Sequence, residues 1–129
     1  MLDESAWNSI RRQISHAPFQ SGWVAVVAGQ PLRTLGEHWE VSCESKILDQ
    51  SYIDFLDEQI ELDALGAEST AVLRDRRQAL KPWVGCKTAF LSISHGPKTL
   101  WIRFNPENCR IILLEAHSQD SIVVYSPNP

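Results

Sequence analysis

No stretch of this 129-residue chain approaches the roughly 18 consecutive apolar residues that a membrane-spanning helix needs. Its start, MLDESAWNSIRRQIS, is acidic and then amphipathic. No basic segment leads into an apolar run there, so it does not read as a secretory signal, and a cytoplasmic location is the expectation. Cysteine is sparse and odd in number. Cys43, Cys86 and Cys109 form neither a C-x-x-C pair nor an even-numbered disulfide framework. Each falls in an expected strand, which makes all three buried, reduced thiols. The chain also lacks a G-x-S-x-G elbow, a glycine-rich phosphate loop and an H-E-x-x-H pair, so the common hydrolase, nucleotide and zinc signatures are missing. Low-complexity tracts are missing too. What is present, 43% apolar and 22% charged residues, is the composition of an ordinary globular protein. One domain spanning residues 1–129 is expected, since a chain of this size buries roughly two-thirds of its unfolded surface without staples.

The clearest pattern runs from Val84 to Tyr125, where four apolar runs are separated by turn-forming clusters at HGPK, NPEN and HSQD. That is the signature of an antiparallel meander. Leu100, Ile102 and Phe104 alternate with Trp101 and Arg103, so this strand has one apolar face. The run from Cys109 to Leu114, and Ile122 to Val124, are apolar at consecutive positions, as in strands packed on both faces. Gly96-Pro97 and Asn105-Pro106 suit the reversals, and Asn108 tolerates left-handed backbone.

Upstream, Asp3 or Ser5 can cap a helix whose apolar positions Trp7, Ile10 and Ile14 form one stripe ending before Pro18. Trp23 to Ala28 reads as a short buried strand. Trp39, Val41 and Cys43 alternate with Glu40, Ser42 and Glu44 as a second strand, and the two are expected to form a hairpin across an aperiodic connection at Leu32 to Gly36. Asp49 opens the strongest helix, with Ile53, Leu56 and Ile60 on one face and Tyr52, Phe55 and Leu62 widening it. After Gly66 a second helix runs from Glu68 to Leu80, carries Val72, Leu73, Ala79 and Leu80, and stops at Pro82. The expected fold is α+β: a mostly antiparallel sheet built on a C-terminal four-strand meander, covered by an N-terminal helix and a central helix pair.

Charge is strongly segregated behind the net −4. Nine acids lie between Glu37 and Asp63 against Lys46 alone, whereas eight bases lie between Arg74 and Arg110 against Asp75 and Glu107. Asp54, Asp57, Glu58 and Glu61 form a like-charge stripe at helical spacing, which repels itself by a few tenths of a kcal/mol per pair. Two things can relieve it: Arg74, Arg77 and Lys81 on the next helix, or a basic partner protein. On the meander, Phe90, Trp101, Arg103 and Tyr125 would make an aromatic and basic patch of hot-spot composition if no element covers them. Trp7, Trp23 and Trp39 read as core.

The favoured function is therefore a small cytoplasmic protein-binding module, an adaptor, inhibitor, immunity-type or regulatory factor without catalysis. Its contacts would be Asp54, Asp57, Glu58, Glu61, Phe90, Trp101, Arg103 and Tyr125. The alternative is nucleic-acid binding by the basic half, through Arg74, Arg76, Arg77, Lys81 and Lys98 with aromatic rings interleaved; the plainer reading of these bases is protection of sheet edges. A small enzyme ranks third. His95 and His117 flank turns at one end of the meander, and with Cys86, Cys109 or Glu115 they are the place to look for a metal site or a Cys–His pair. No metal or cofactor is expected. A homodimer through a sheet edge is a further option.

Overall fold

The computed structural model describes residues 2–18, 22–62, 67–119 and 121–127, without the side chains of residues 67–69. Its elements in chain order are α1 (Glu4–Ser15), α2 (Gly22–Gly29), α3 (Leu32–His38), β1 (Glu40–Ile47), α4 (Gln50–Leu62), α5 (Ala67–Leu80), a 3-10 turn (Lys81–Trp83), β2 (Lys87–His95), β3 (Lys98–Phe104), β4 (Ile111–His117) and β5 (Ile122–Tyr125). The strands lie side by side in sequence order, each antiparallel to the next. The fold is α+β, as the sequence pattern requires, with five strands in the sheet.

Strand alternation gives the sheet two faces. Leu91, Ile102 and Leu114 are cross-strand neighbours, and they join one core with Trp7, Ile10, Ile14, Val24, Val27 and Leu35 from α1, α2 and α3. Ile112 and Leu113 turn to the other side and pack with Ile53 and Leu56 of α4 and Leu73 and Leu80 of α5. This second layer is narrower than the first, because α5 rests on β4 and β5. The same face therefore stays open over β1, β2 and β3, where Ser42 and Glu44 are exposed and Phe90, Ser92, Trp101 and Arg103 are half-buried.

Local chemistry explains the boundaries. Asp3 caps α1 by accepting from the Ala6 amide at 2.8 Å, and the Asp49 carboxylate accepts from the Ser51 amide at 3.1 Å at the start of α4. In the β3–β4 connection, Asn105 accepts the Glu107 amide on its side chain and the Cys109 amide on its carbonyl. Gln13 of α1 then clamps the connection: its Nε2 donates to the Cys109 carbonyl at 2.6 Å and its Oε1 accepts the Ile111 amide at 2.8 Å.

Several expectations are corrected. Residues 23–28 are helical rather than a strand, and residues 32–36 lie in α3. The expected hairpin does not exist, and β1 instead pairs with β2 as a fifth strand of the meander. The reason lies in α1. Its Trp7 indole and Arg11 guanidinium both donate to the Gln30 carbonyl just past α2, while Val24 and Val27, three apart, are buried against the first core. The left-handed residue of the β3–β4 turn is Cys109, at φ 60°, not Asn108. Cys109 precedes β4 and Cys86 lies in a bend, so only Cys43 is in a strand; Cys86 is exposed and the other two thiols half-buried. Trp7 is core, whereas Trp23 and Trp39 pack only partly against it. β5 is an edge strand, so Ile122 and Val123 are exposed instead of packed on both faces. Phe55 and Leu62 do not widen the buried face of α4 either; both point to solvent.

Candidate functional site

The open face gathers the unusual chemistry. Register places Phe90 opposite Arg103, and Trp101 between Ser92 and Glu115. Glu115 is the one charged residue in the run from Ile111 to Ala116, and it is 3% exposed. A carboxylate buried so deeply requires a partner. Arg76 supplies it from α5, on the helical stripe shared with Leu73 and Leu80. Its Nε and Nη2 donate to Glu115 Oε2 and Oε1, both at 2.8 Å, a bidentate pair. His117, next on the same face, places Nε2 3.0 Å from Glu115 Oε1. Burial alone would push the Glu115 carboxyl up. The hydrogen bonds from His117 and Arg76 and the Arg76 charge outweigh it, and the carboxyl ends below its ordinary value. Burial likewise pulls the Arg76 guanidinium down, and the bond and charge of Glu115 reverse that to a net rise.

Aromatic rings surround this pair. The Trp101 and His117 ring centroids are 4.3 Å apart, Phe90 meets Trp101 edge-on at 5.8 Å, and the Arg76 guanidinium carbon lies 5.8 Å from the Trp101 ring centre. Arg103 lies over Phe90 at 4.9 Å and reaches Thr88 Oγ1 at 3.5 Å. It forms no ion pair with any described residue. Burial lowers the Arg103 guanidinium below its ordinary value. Together with Tyr52, Leu80 and Leu113, these groups enclose a cleft of about 320 Å³.

The acidic stripe of α4 lies beyond Tyr52, whose ring stacks 6.4 Å from that of Phe55. Asp57 is held by Arg77 of α5, and Asp54 accepts from Gln50 at 3.0 Å. Among the described residues Glu58 and Glu61 have no basic partner, so the two helix stripes meet at one point only. Phe55 and Leu62, seven residues apart, are 51% and 62% exposed on the same outward side of α4.

The eight residues proposed for protein contact thus divide. Asp54, Asp57, Glu58 and Glu61 sit on α4, and Phe90, Trp101 and Arg103 sit on the open sheet face. Tyr125 leaves the group: it pairs with Leu114 and packs into the core on the opposite face, because its strand parity matches Leu114 rather than Leu113. The basic set divides too. Arg76 belongs to Glu115 and Arg77 to Asp57, Arg74 and Lys81 line a shallow groove with Gln78 and Pro82, and Lys98 faces His95 at the β2–β3 turn. His95 and His117 do share one end of the sheet, but on opposite faces: His95 stacks on Trp39 at 4.3 Å, whereas His117 stacks on Trp101. No three of the described His, Cys, Asp and Glu side chains group as metal ligands. No described helix is long and apolar enough to cross a membrane.

Sequence reasoning placed Phe90, Trp101 and Arg103 together and missed Arg76–Glu115. The signal was present: a lone carboxylate inside IILLEA must find a cation, and Arg76 is the arginine at the centre of the stripe of Val72, Leu73, Ala79 and Leu80, with Arg77 outside it. Comparison with known protein families, curated proteins and solved structures finds no match for the chain.

Proposed function

We propose that this is a cytoplasmic binding module that acts by docking another protein on the outer face of α4, the partner presenting a basic surface with an apolar side chain at its centre. The observation that carries the reading is the exposure of Phe55 and Leu62 beside Asp54, Glu58 and Glu61. Large apolar side chains ringed by charge are the composition of a docking surface. An acidic helix face that repels itself gains from a positive partner, which also speeds encounter at low salt.

The test is capture by the tagged protein at low and high salt, with variants in parallel. A protein held by the parent chain should be lost on Glu58→Lys with Glu61→Lys, and weakened on Phe55→Asp, while the melting temperature stays within the range of ordinary surface substitutions. Equal capture by parent and variants would exclude this face. The basic groove of α5 supplies the alternative: nucleic acid retained at low salt and released by Arg74→Glu with Lys81→Glu would place function there instead.

A further inference from the structure

We infer that the cleft between α5 and the open sheet face binds a small aromatic carboxylic acid, its carboxylate on Arg103 and its ring against Phe90 and Trp101. This goes beyond docking on α4 and uses other residues.

The cleft holds two guanidinium groups in different states. Arg76 gives Nε and Nη2 to Glu115 in a bidentate pair and is also hydrogen-bonded to Tyr52. Arg103 has only the Thr88 hydroxyl, at the limit of hydrogen bonding, and the Phe90 ring beneath it. A guanidinium carries five N–H donors, so most of Arg103's donors have no described protein acceptor. Glu44, on the strand beyond Phe90, is mostly exposed and lies 3.4 Å from Lys46. Arg103 is thus a half-buried cation that Glu115 and Glu44 influence through space without bonding to it, so its donors can take an anion.

The surroundings choose among anions. With Glu115 neutralised by Arg76, the cleft offers a single net positive charge beside a buried carboxylate. This suits a monoanion and disfavours a phosphate dianion, which needs more than one cation. The remaining walls, Tyr52, Phe90, Trp101, Leu80 and Leu113, are flat or apolar, and Phe90 and Trp101 stand edge to face at 5.8 Å, which leaves ring surface for stacking. A volume of about 320 Å³ lies at the small end of ligand pockets.

Benzoate is the probe, titrated into isotope-labelled protein and followed by proton–nitrogen correlation spectra. The Trp101 indole signal is identified by its loss in Trp101→Phe. The expected result is a saturable shift of the Trp101 indole and Arg103 Nε signals with benzoate, no comparable shift with benzamide, and inorganic phosphate weaker by about tenfold or more. Arg103→Met should weaken benzoate by about tenfold, the size of one charge-assisted contact. If that variant does not fold, Arg103→Lys, which keeps the charge but loses the fork, should still weaken binding severalfold. Equal shifts with benzamide, shifts that never saturate, or undiminished binding by the Arg103 variant would each overturn the assignment.

Discussion

Arg76 and Glu115 show how one buried pair can decide both stability and pH response. Arg76 is 15% and Glu115 3% exposed at the side chain. Removing one partner strands the other charge in a low-dielectric site, which typically costs about 3–5 kcal/mol. Arg76→Met should fall near the lower end, about 3 kcal/mol, because His117 remains against Glu115 Oε1. Denaturant titration measures it, and the double variant Arg76→Met with Glu115→Leu should recover much of the loss, since no charge is then left unpaired. The sign of the pH effect follows from the direction of the Glu115 shift. A carboxyl held below its ordinary value of 4.5 stabilises the fold fully above that value, and the contribution disappears as pH falls through the lower folded value. Stability should therefore decline on the acid side, and Glu115→Gln should flatten that limb. A parent and variant with parallel acid limbs would show that Glu115 is not the group responsible.

At the scale of elements, what the sequence made legible was decided by how far local pattern and tertiary contact agree. α1 and α4 carry strong periods and caps, α5 carries a thinner apolar set stopped by Pro82, and these helices and the meander form where those signals place them. α2 is the counterexample. GWVAVVAG is rich in β-branched residues, which lowers helix propensity and favours a strand, yet the segment is helical. Packing of Val24 and Val27 against α1, and the Trp7 and Arg11 bonds to Gln30, override the local preference. None of these contacts is visible in an eight-residue window. Parity had a similar effect on the site: Tyr125 has suitable chemistry, but one-residue phasing on β5 sends it to the other face. The helical state of α2 has a direct test. Val26 is exposed there, so Val26→Ala should stabilise the protein by roughly 0.5 kcal/mol through helix propensity alone. In a strand the same change would destabilise, and a lower denaturation midpoint would contradict a helical α2.

Considered whole, the molecule separates its charges without pairing them off: α4 and α5 share an apolar contact, but among the described residues their charged stripes are joined by the Asp57–Arg77 ion pair alone, and β1 carries its own mixture to the margin of the sheet. β1 is an edge strand exposed along its length except at Cys43, with Val41 and Ile47 among the exposed apolar residues. Unpaired edges of this kind invite strand addition, and charged side chains are the usual protection. In β1 those charges also select a register. Antiparallel pairing of two copies centred on Ser42 would oppose Glu40 and the partner's Glu44, and centring on Glu44 would oppose Glu44 and the partner's Glu44; both repel. Centring on Cys43 sets Glu40 against the partner's Lys46 twice over, and pairing from Glu40 to Lys46 uses nearly the whole strand. Centring on Ser45 keeps an attractive Glu44–Lys46 contact but overlaps only from Cys43 to Ile47. Self-association through β1 is therefore expected in the Cys43-centred register, as a weak dimer that appears with rising concentration in sedimentation equilibrium. Lys46→Glu should weaken it by about tenfold, since two cross-strand contacts of a few tenths to one kcal/mol turn repulsive. Directly opposed residues of an antiparallel pair stand roughly 4.5–5.5 Å apart at Cα, within disulfide reach. In a Cys86→Ser background, which removes the exposed thiol, mild oxidation should thus yield a dimer linked through Cys43 that Cys43→Ser abolishes. A chain that stays monomeric at millimolar concentration, or an oxidised dimer that survives Cys43→Ser, would mean that the charges on β1 protect the edge instead of pairing it.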